Sequence, residues 1–236
     1  KEPLGKFRQS DWYPWKFRRR LSLVSRPLIS LDLDGKTSYL IAPGLFHKTC
    51  SYIVDNSVSG YFSVDFFFSK EMKTLTGSIT AERGLVFNQE VADKLKSLGL
   101  SVQADILVSS LGGDNSLGDI DVLCWDSNKN IVHIIECKNF NYAKIMDEVV
   151  EQLNRFKGIT REDGSLDELG KHIRRVKWAE DHKSSLANFT KIPVEKLCVE
   201  HFIVFSNEVP MKFFDGLPIE TERILIFDDF TALLKV

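Results

Sequence analysis

The sequence lacks an excess of charge of either sign and any long apolar run. Its 236 residues carry a formal net charge of −2, so any surface for nucleic acid has to be local rather than spread over the whole molecule. No apolar stretch approaches the roughly 18 residues that a membrane-spanning helix needs, and no signal-peptide pattern opens the chain. The sequence therefore predicts a protein with no membrane partner.

Paired cysteines, clustered histidines and the commonest catalytic motifs are also missing. The four cysteines are scattered without a C-x-x-C pair, and Cys124 and Cys137 lie in apolar stretches where a buried free thiol is usual. A reducing cytoplasm is the predicted location. The five histidines are dispersed, which gives no support to a histidine-based zinc site. Neither a G-x-S-x-G elbow nor a P-loop is present, so serine hydrolase and NTPase functions have no basis.

The most informative stretch runs from Gly118 to Asn139, with the sequence GDIDVLCWDSNKNIVHIIECKN. Val122–Trp125 and Ile131–Ile135 are apolar and rich in β-branched or aromatic residues, which predicts two strands. The polar segment Asp126–Asn130 between them has the composition of a tight turn, so the stretch is predicted to form a β-hairpin.

The register of this hairpin determines which charged side chains meet. With the turn centred on Asn128 and Lys129, Asp121 lies opposite Glu136, about 5 Å away on one face. Lys138 follows two positions after Glu136 and shares its side of the strand. Two carboxylates this close repel each other unless a cation lies nearby, and their oxygens suit a hard ion such as Mg²⁺. The alternative is a surface hairpin with ordinary charged ends.

These residues resemble the signature of a known nuclease superfamily. Gly118-Asp119-Ile120-Asp121 followed by Glu136-Cys137-Lys138 is similar to the G-x-I-D…E-x-K pattern of the PD-(D/E)xK, or restriction-endonuclease-like, superfamily, in its Mrr-like and Holliday-junction-resolvase-like branches. The resemblance covers about 81–236. It implies an α/β fold in which helices flank a central mixed sheet, with a nuclease-like domain over 79–236.

The resemblance also implies a function and a set of site residues. The expected activity is Mg²⁺-dependent hydrolysis of phosphodiester bonds, most plausibly in DNA, with Mn²⁺ able to replace Mg²⁺, in prokaryotic defence or DNA processing. Asp121, Glu136 and the backbone carbonyl of Cys137 are expected to hold the metal. Lys138 is expected to orient the attacking water or to stabilise the transition state.

Two further site residues follow from the resemblance less directly. The superfamily often carries a glutamate on its first helix, and that position is Asn88 here. Glu90 is then the nearest candidate for a metal ligand, or else a solvated helix charge. Gln152 and Phe156 resemble a Q-x-x-x-Y element of exonuclease-like branches, with phenylalanine replacing tyrosine. Gln152 is expected to bind a metal-bound water or a phosphate, or else to be a surface glutamine.

Residues 1–78 are predicted to form an accessory α+β element. Leu28–Leu33 and Tyr39–Ile41 flank Asp34-Gly35, a hairpin signal, and a helix is predicted over 45–54. The segment 1–26 mixes tryptophans with arginines; it either contacts a phosphate backbone or anchors its aromatic residues on the domain. The chain begins at Lys1 rather than methionine, which suggests a fragment of a longer protein.

The rest of the nuclease-like region is predicted from apolar periodicity. Helices are expected at 87–98, 143–157, 166–182 and 229–235, and buried strands at 101–108, 197–206 and 223–227. The helix over 166–182 has a basic outer face that either contacts phosphates or is merely solvated; its cations are Lys171, His172, Arg174, Arg175 and Lys177. A homodimer, a larger complex, and a catalytically inactive module that binds nucleic acid or a protein partner all remain open.

Overall fold

The computed structural model describes residues 23–24, 27–62, 67–143 and 146–234. The chain divides into two compact units, 1–80 and 81–236. The predicted basic and aromatic segment 1–26 lies almost entirely outside the described residues. Part of the aromatic segment Tyr61–Phe68, for which the sequence did not distinguish strand from helix, lies outside them too.

The first unit contains a β-hairpin followed by a helix. Strands β1 (Leu28–Leu33) and β2 (Lys36–Ile41) pair antiparallel. Asp34 and Gly35 between them have φ values of 55° and 76°, as a type I′ turn requires at both central positions. Helix α1 (Pro43–Val58) follows. The predicted hairpin and helix are confirmed, although the helix is longer at both ends.

Helix α2 (Lys70–Ser97) is much longer than predicted. It ends where expected, because Gly99 adopts a left-handed φ of 86° that stops a helix. The division between the two compact units, after Thr80, lies within this helix. A single glycine such as Gly77 costs a helix only about 1 kcal/mol, which its neighbours can offset.

The second unit is built on a five-stranded mixed sheet with the order β3-β4-β5-β6-β7. β3, β4 and β5 pair antiparallel, whereas β5, β6 and β7 run parallel. The strands are β3 (Ser101–Leu107), β4 (Asp119–Asp126), β5 (Ile131–Lys138), β6 (Cys198–Phe205) and β7 (Ile224–Ile226).

Four helices join the carboxyl-terminal end of α2 in this unit. They are α3 (Met146–Arg155), α4 (Glu168–Asp181), α5 (Lys183–Thr190) and α6 (Phe227–Leu233). None of the helices in the described ranges is long and apolar enough to cross a membrane. The α/β class and the mixed sheet are as predicted.

Each face of the sheet has its own hydrophobic core. On one face, Phe87, Val91 and Leu95 of α2 pack with Ile135 and Cys137 of β5. The opposite core includes Ile134 of β5, Val176 and Trp178 of α4, and Leu186 of α5. Because β5 contributes alternate side chains to both cores, it is buried on both faces. Its charged residues therefore emerge next to packed helices rather than in open solvent.

Two details of helix orientation differ from the prediction. Met146, which apolar periodicity places on the inward side of α3, is the first residue of that helix and is 73% exposed. On α4, the predicted inward residues Leu169 and Val176 are buried. His172 and Arg175 were assigned to the outer face, and this was wrong, because both are buried.

Candidate active site

The β4–β5 hairpin positions the acidic residues of the candidate site. Its register runs from Asp126↔Ile131 to Val122↔Ile135, with the turn centred as predicted. Asp126 fixes the turn by accepting hydrogen bonds from the backbone N–H of Asn128 and Lys129, at 2.8 and 3.2 Å. One step beyond the last pair, Asp121 and Glu136 are opposite each other.

Asp121, Glu136 and Lys138 meet at this end of the hairpin. Lys138 Nζ lies 2.7 Å from Glu136 Oε1 and 3.6 Å from Asp121 Oδ2. Asp121 Oδ2 also accepts a hydrogen bond from the backbone N–H of Cys137 at 2.7 Å. The structure thus brings together the two acids and the amine, as the register predicts, while their chemical roles remain a prediction.

Glu136 has a second cationic partner that the sequence did not reveal. Arg175 of α4 donates to Glu136 Oε2 through Nη1, and its Nε donates to the carbonyl of Leu117 at 3.0 Å. Helical spacing offered a signal for this contact, since Arg175 lies beside the inward residue Val176. Charged residues are usually assigned to the outer face, and that assumption concealed it.

Two histidines lie beyond Glu136, of which His172 is buried and His201 is partly buried. His172 Nδ1 is 3.8 Å from Glu136 Oε2, and His172 Nε2 is 3.2 Å from Nδ1 of His201 on β6. Burial lowers the pKa of His172 to about 3 and the pKa of His201 to about 4. Both rings are therefore neutral at pH 7, and one N–H is shared between them.

The two carboxylates differ in their protonation. Burial and the neighbouring Glu136 raise the pKa of Asp121 to about 7, against the opposing effects of Lys138 and Arg175. Burial also opposes the charge of Glu136, but Lys138, Arg175 and His172 outweigh it and hold the pKa of Glu136 below its ordinary value. The cations Lys138 and Arg175 thus compensate the negative charge of Asp121 only in part.

In β3 and β4, next to the site, residues two positions apart pack on opposite faces of the sheet. Ala104 of β3 and Val122 of β4 pack in the core beneath α2, whereas Ile106 and Ile120 pack in the core beneath α4. Between them, Asp105 adopts a left-handed φ of 49°, and the register pairs neither Asp105 nor Asp121 across the two strands. On either side of Asp105 and Asp121, the side chains therefore do not alternate between the two faces as they do in a regular strand.

Asn88, the helix position that often carries a glutamate in the superfamily, contacts β3 instead. Its side-chain amide is buried and donates to Asp105 Oδ1 at 2.7 Å. Glu90 is exposed on α2, and its proposed role as a metal ligand stays a prediction. Asp105 is an acidic residue near this helix that sequence reasoning missed, because nothing in a single sequence predicts its contact with Asn88.

Gln152 and Cys137 occupy defined but different environments. Gln152 Nε2 donates to the carbonyl of Asn141 at 2.8 Å, and its Oε1 is buried without a hydrogen-bond partner in the described structure. Phe156, predicted to replace a tyrosine, is a core residue. Burial raises the pKa of the Cys137 thiol, which lies in the core, so only its backbone is available to the site.

A family model described as Anti-phage protein Upx-like matches residues 1–226 of the chain. The chain belongs to this Upx-like family. Searches of the curated proteins and of the solved structures gave no match. Membership of an anti-phage family indicates a role in defence against phage. The family match covers the first compact unit and most of the second.

The two carboxylates of the candidate site would hold a hard cation only if water supplied the remaining ligands. Within the described ranges, no three His, Cys, Asp or Glu side chains are arranged to hold a metal ion. Mg²⁺ commonly binds through one or two carboxylates and keeps several waters. Asp121, whose charge is only partly compensated, fits this requirement, whereas the two oxygens of Glu136 already contact Lys138 and Arg175.

Proposed function

We propose that this protein is a Mg²⁺-dependent nuclease that hydrolyses phosphodiester bonds in DNA, and that this activity underlies its role in phage defence. The observation that carries the proposal is the position of Lys138 Nζ, 2.7 Å from Glu136 Oε1 and 3.6 Å from Asp121 Oδ2. Two acids and an amine at one rim of a sheet are suited to phosphoryl transfer, in which charge develops on oxygen.

In this proposal Asp121, Glu136 and the carbonyl of Cys137 would hold the metal, and Mn²⁺ would replace Mg²⁺. When bound, the metal would supply a water of lowered pKa and neutralise charge on the phosphoryl oxygens. The raised pKa of Asp121 supports a cation at this position, because a group of positive charge would relieve the repulsion between the two acids.

The protein's own contribution is made chiefly by Lys138. Burial disfavours the charge of this amine, but Glu136 and Asp121 outweigh burial and raise its pKa. Lys138 therefore remains an ammonium at neutral pH. A fixed positive charge with three donors can orient water and stabilise the charge that develops on a phosphoryl oxygen.

The test is cleavage of plasmid, linear and branched DNA by the purified protein with Mg²⁺ or Mn²⁺, compared with Asp121→Asn. This substitution removes the charge of Asp121 but keeps its size, so we expect cleavage to fall to background. Asp229→Asn is the matched control, because Asp229 pairs with Lys212 at the surface. This variant should cleave like wild type. Cutting by Asp121→Asn at the wild-type rate would exclude this site.

Exposed lysines on α4 are proposed to contact the DNA backbone. His172 and Arg175 face the buried network, whereas Lys171 and Lys177 of the same helix are exposed. Each phosphate contact contributes about 0.9 to the slope of log K against log salt concentration. Changing both lysines to glutamine should therefore lower that slope by about 2, measured by fluorescence anisotropy with labelled duplex DNA.

Two exposed lysines elsewhere provide the control for that measurement. Changing Lys96 and Lys196, which are also exposed, to glutamine removes the same charge from other surfaces. An equal loss of slope in both double variants would show that α4 has no special role in DNA binding.

The second candidate function is an inactive module of the same fold that binds nucleic acid or a protein partner. The ion pairing of Glu136 favours it, because Lys138 and Arg175 contact both of its carboxylate oxygens. Calorimetry with Mg²⁺ and Mn²⁺ distinguishes the two functions. Absence of divalent-ion binding, together with DNA binding that survives chelation, would support the inactive module.

A further inference from the structure

The distance between the two acids is not set by the backbone ladder of their strands. The paired register of β4 and β5 ends at Val122↔Ile135, one position before Asp121 and Glu136. Beyond that point β4 still pairs with β3 as far as Asp119, and β5 pairs with β6 as far as Lys138. Contacts that involve side chains join the two strand ends directly to each other. One such contact is the hydrogen bond from the Cys137 N–H to Asp121.

Lys138 also contacts both acids, and Arg175 makes a further connection that reaches both strand ends. Its Nη1 donates to Glu136 at the end of β5, and its Nε donates to the carbonyl of Leu117 at 3.0 Å. Leu117 is followed only by Gly118 before β4 begins at Asp119. Arg175 itself is 7% exposed, so these contacts are shielded from water and from competing ions.

The turn that enters β4 is shaped to receive this guanidinium. Gly118 has a left-handed φ of 73°, and a Cβ atom at this position would lie 3.9 Å from Arg175 Nη2. The guanidinium therefore lies directly against the turn. Its planar fork can donate to a carbonyl and a carboxylate at the same time, whereas the single ammonium of lysine cannot reproduce that geometry.

We infer that Arg175 is a positioning residue that sets the separation of Asp121 and Glu136 by tying the start of β4 to the end of β5. The structural part of this inference is independent of any reaction, whereas its effect on DNA cleavage rests on the function proposed above. Since Arg175 is buried, it supports the acids without touching DNA.

Arg175→Lys tests the inference, with Arg223→Lys as the matched control. Arg223 also donates to one carbonyl, of His201, and to one carboxylate, of Glu220, but it lies outside the site. A displacement of about 1 Å can slow a reaction about 100-fold. We therefore expect Arg175→Lys to lower kcat about 100-fold with KM for DNA unchanged, and Arg223→Lys to cleave like wild type.

Hydrogen–deuterium exchange provides a readout that does not depend on activity. In Arg175→Lys, amide exchange should rise in both of the segments that the arginine joins, 115–121 and 134–140, and should stay unchanged there in Arg223→Lys. Wild-type kcat or wild-type exchange in Arg175→Lys would overturn the inference. If the wild-type protein cuts no DNA, the proposed function fails, and exchange alone decides the role of Arg175.

A second variant covers the case in which Arg175→Lys does not fold. The double variant Glu136→Gln, Arg175→Met removes both charges, so neither group is left buried and unpaired. Faster exchange at 115–121 and 134–140 in this variant supports the tether between the strands, and unchanged exchange at both segments refutes it.

Discussion

Replacing Lys138 with methionine is expected to lower kcat for DNA cleavage by about 100- to 1,000-fold, the loss usual for a preorganised group that stabilises developing charge. Methionine keeps much of the length of the lysine side chain but removes its ammonium, which contacts both Asp121 and Glu136. KM for DNA should change little, because the contribution arises in the transition state. Steady-state cleavage of a labelled duplex measures both constants.

Lys212→Met is the control for this substitution. Lys212 also pairs with two carboxylates, at 2.6 Å to Asp229 and 3.9 Å to Glu208, but it belongs to a different part of the surface. It should retain the wild-type kcat. A Lys138→Met protein that cleaves as fast as Lys212→Met would remove Lys138 from the mechanism.

The second large effect concerns stability. Arg175→Met should lower the free energy of unfolding by about 3 to 5 kcal/mol, because it leaves Glu136 buried with one of its two close cations missing. Adding Glu136→Gln should recover most of this loss, since a neutral pair of similar volume has no charge to desolvate. Urea denaturation of the wild type, the two single variants and the double variant completes the cycle.

The ion pair of Arg155 and Glu168 is a matched comparison that is more exposed to solvent. The Arg155 side chain is 45% exposed, and exposed ion pairs contribute roughly 0 to 1 kcal/mol. Arg155→Met should therefore cost much less than Arg175→Met. Equal costs for the two variants would show that the burial of Glu136 has no energetic consequence.

The hairpin and its register could be predicted because their determinants are local. Asp126–Asn130 has the composition of a turn, and the apolar residues on either side define two strands. Once the turn is placed, the positions of Asp121, Glu136 and Lys138 follow from the alternation of side chains. The two acids and the lysine of the prediction are close in sequence or lie across one turn from each other.

The contribution of α4 could not be predicted because it depends on distant contacts. Arg175 and Glu136 are 39 residues apart, and the arginine faces inward only because a buried carboxylate lies opposite it. Helical spacing puts Arg175 beside the inward stripe of α4, but it does not show which partner would pair with a buried charge. The contact between Asn88 and Asp105 was missed for a similar reason, since it depends on the positive φ of Asp105.

The location of Glu136 and Lys138 on β5 limits how the molecule can be regulated. β5 is the third of five strands, and it pairs with β4 as far as Ile135 and with β6 as far as Lys138. Central strands are among the last parts of a protein to open. We therefore expect Glu136 and Lys138 to keep their positions, and control of the proposed activity to act on access to them.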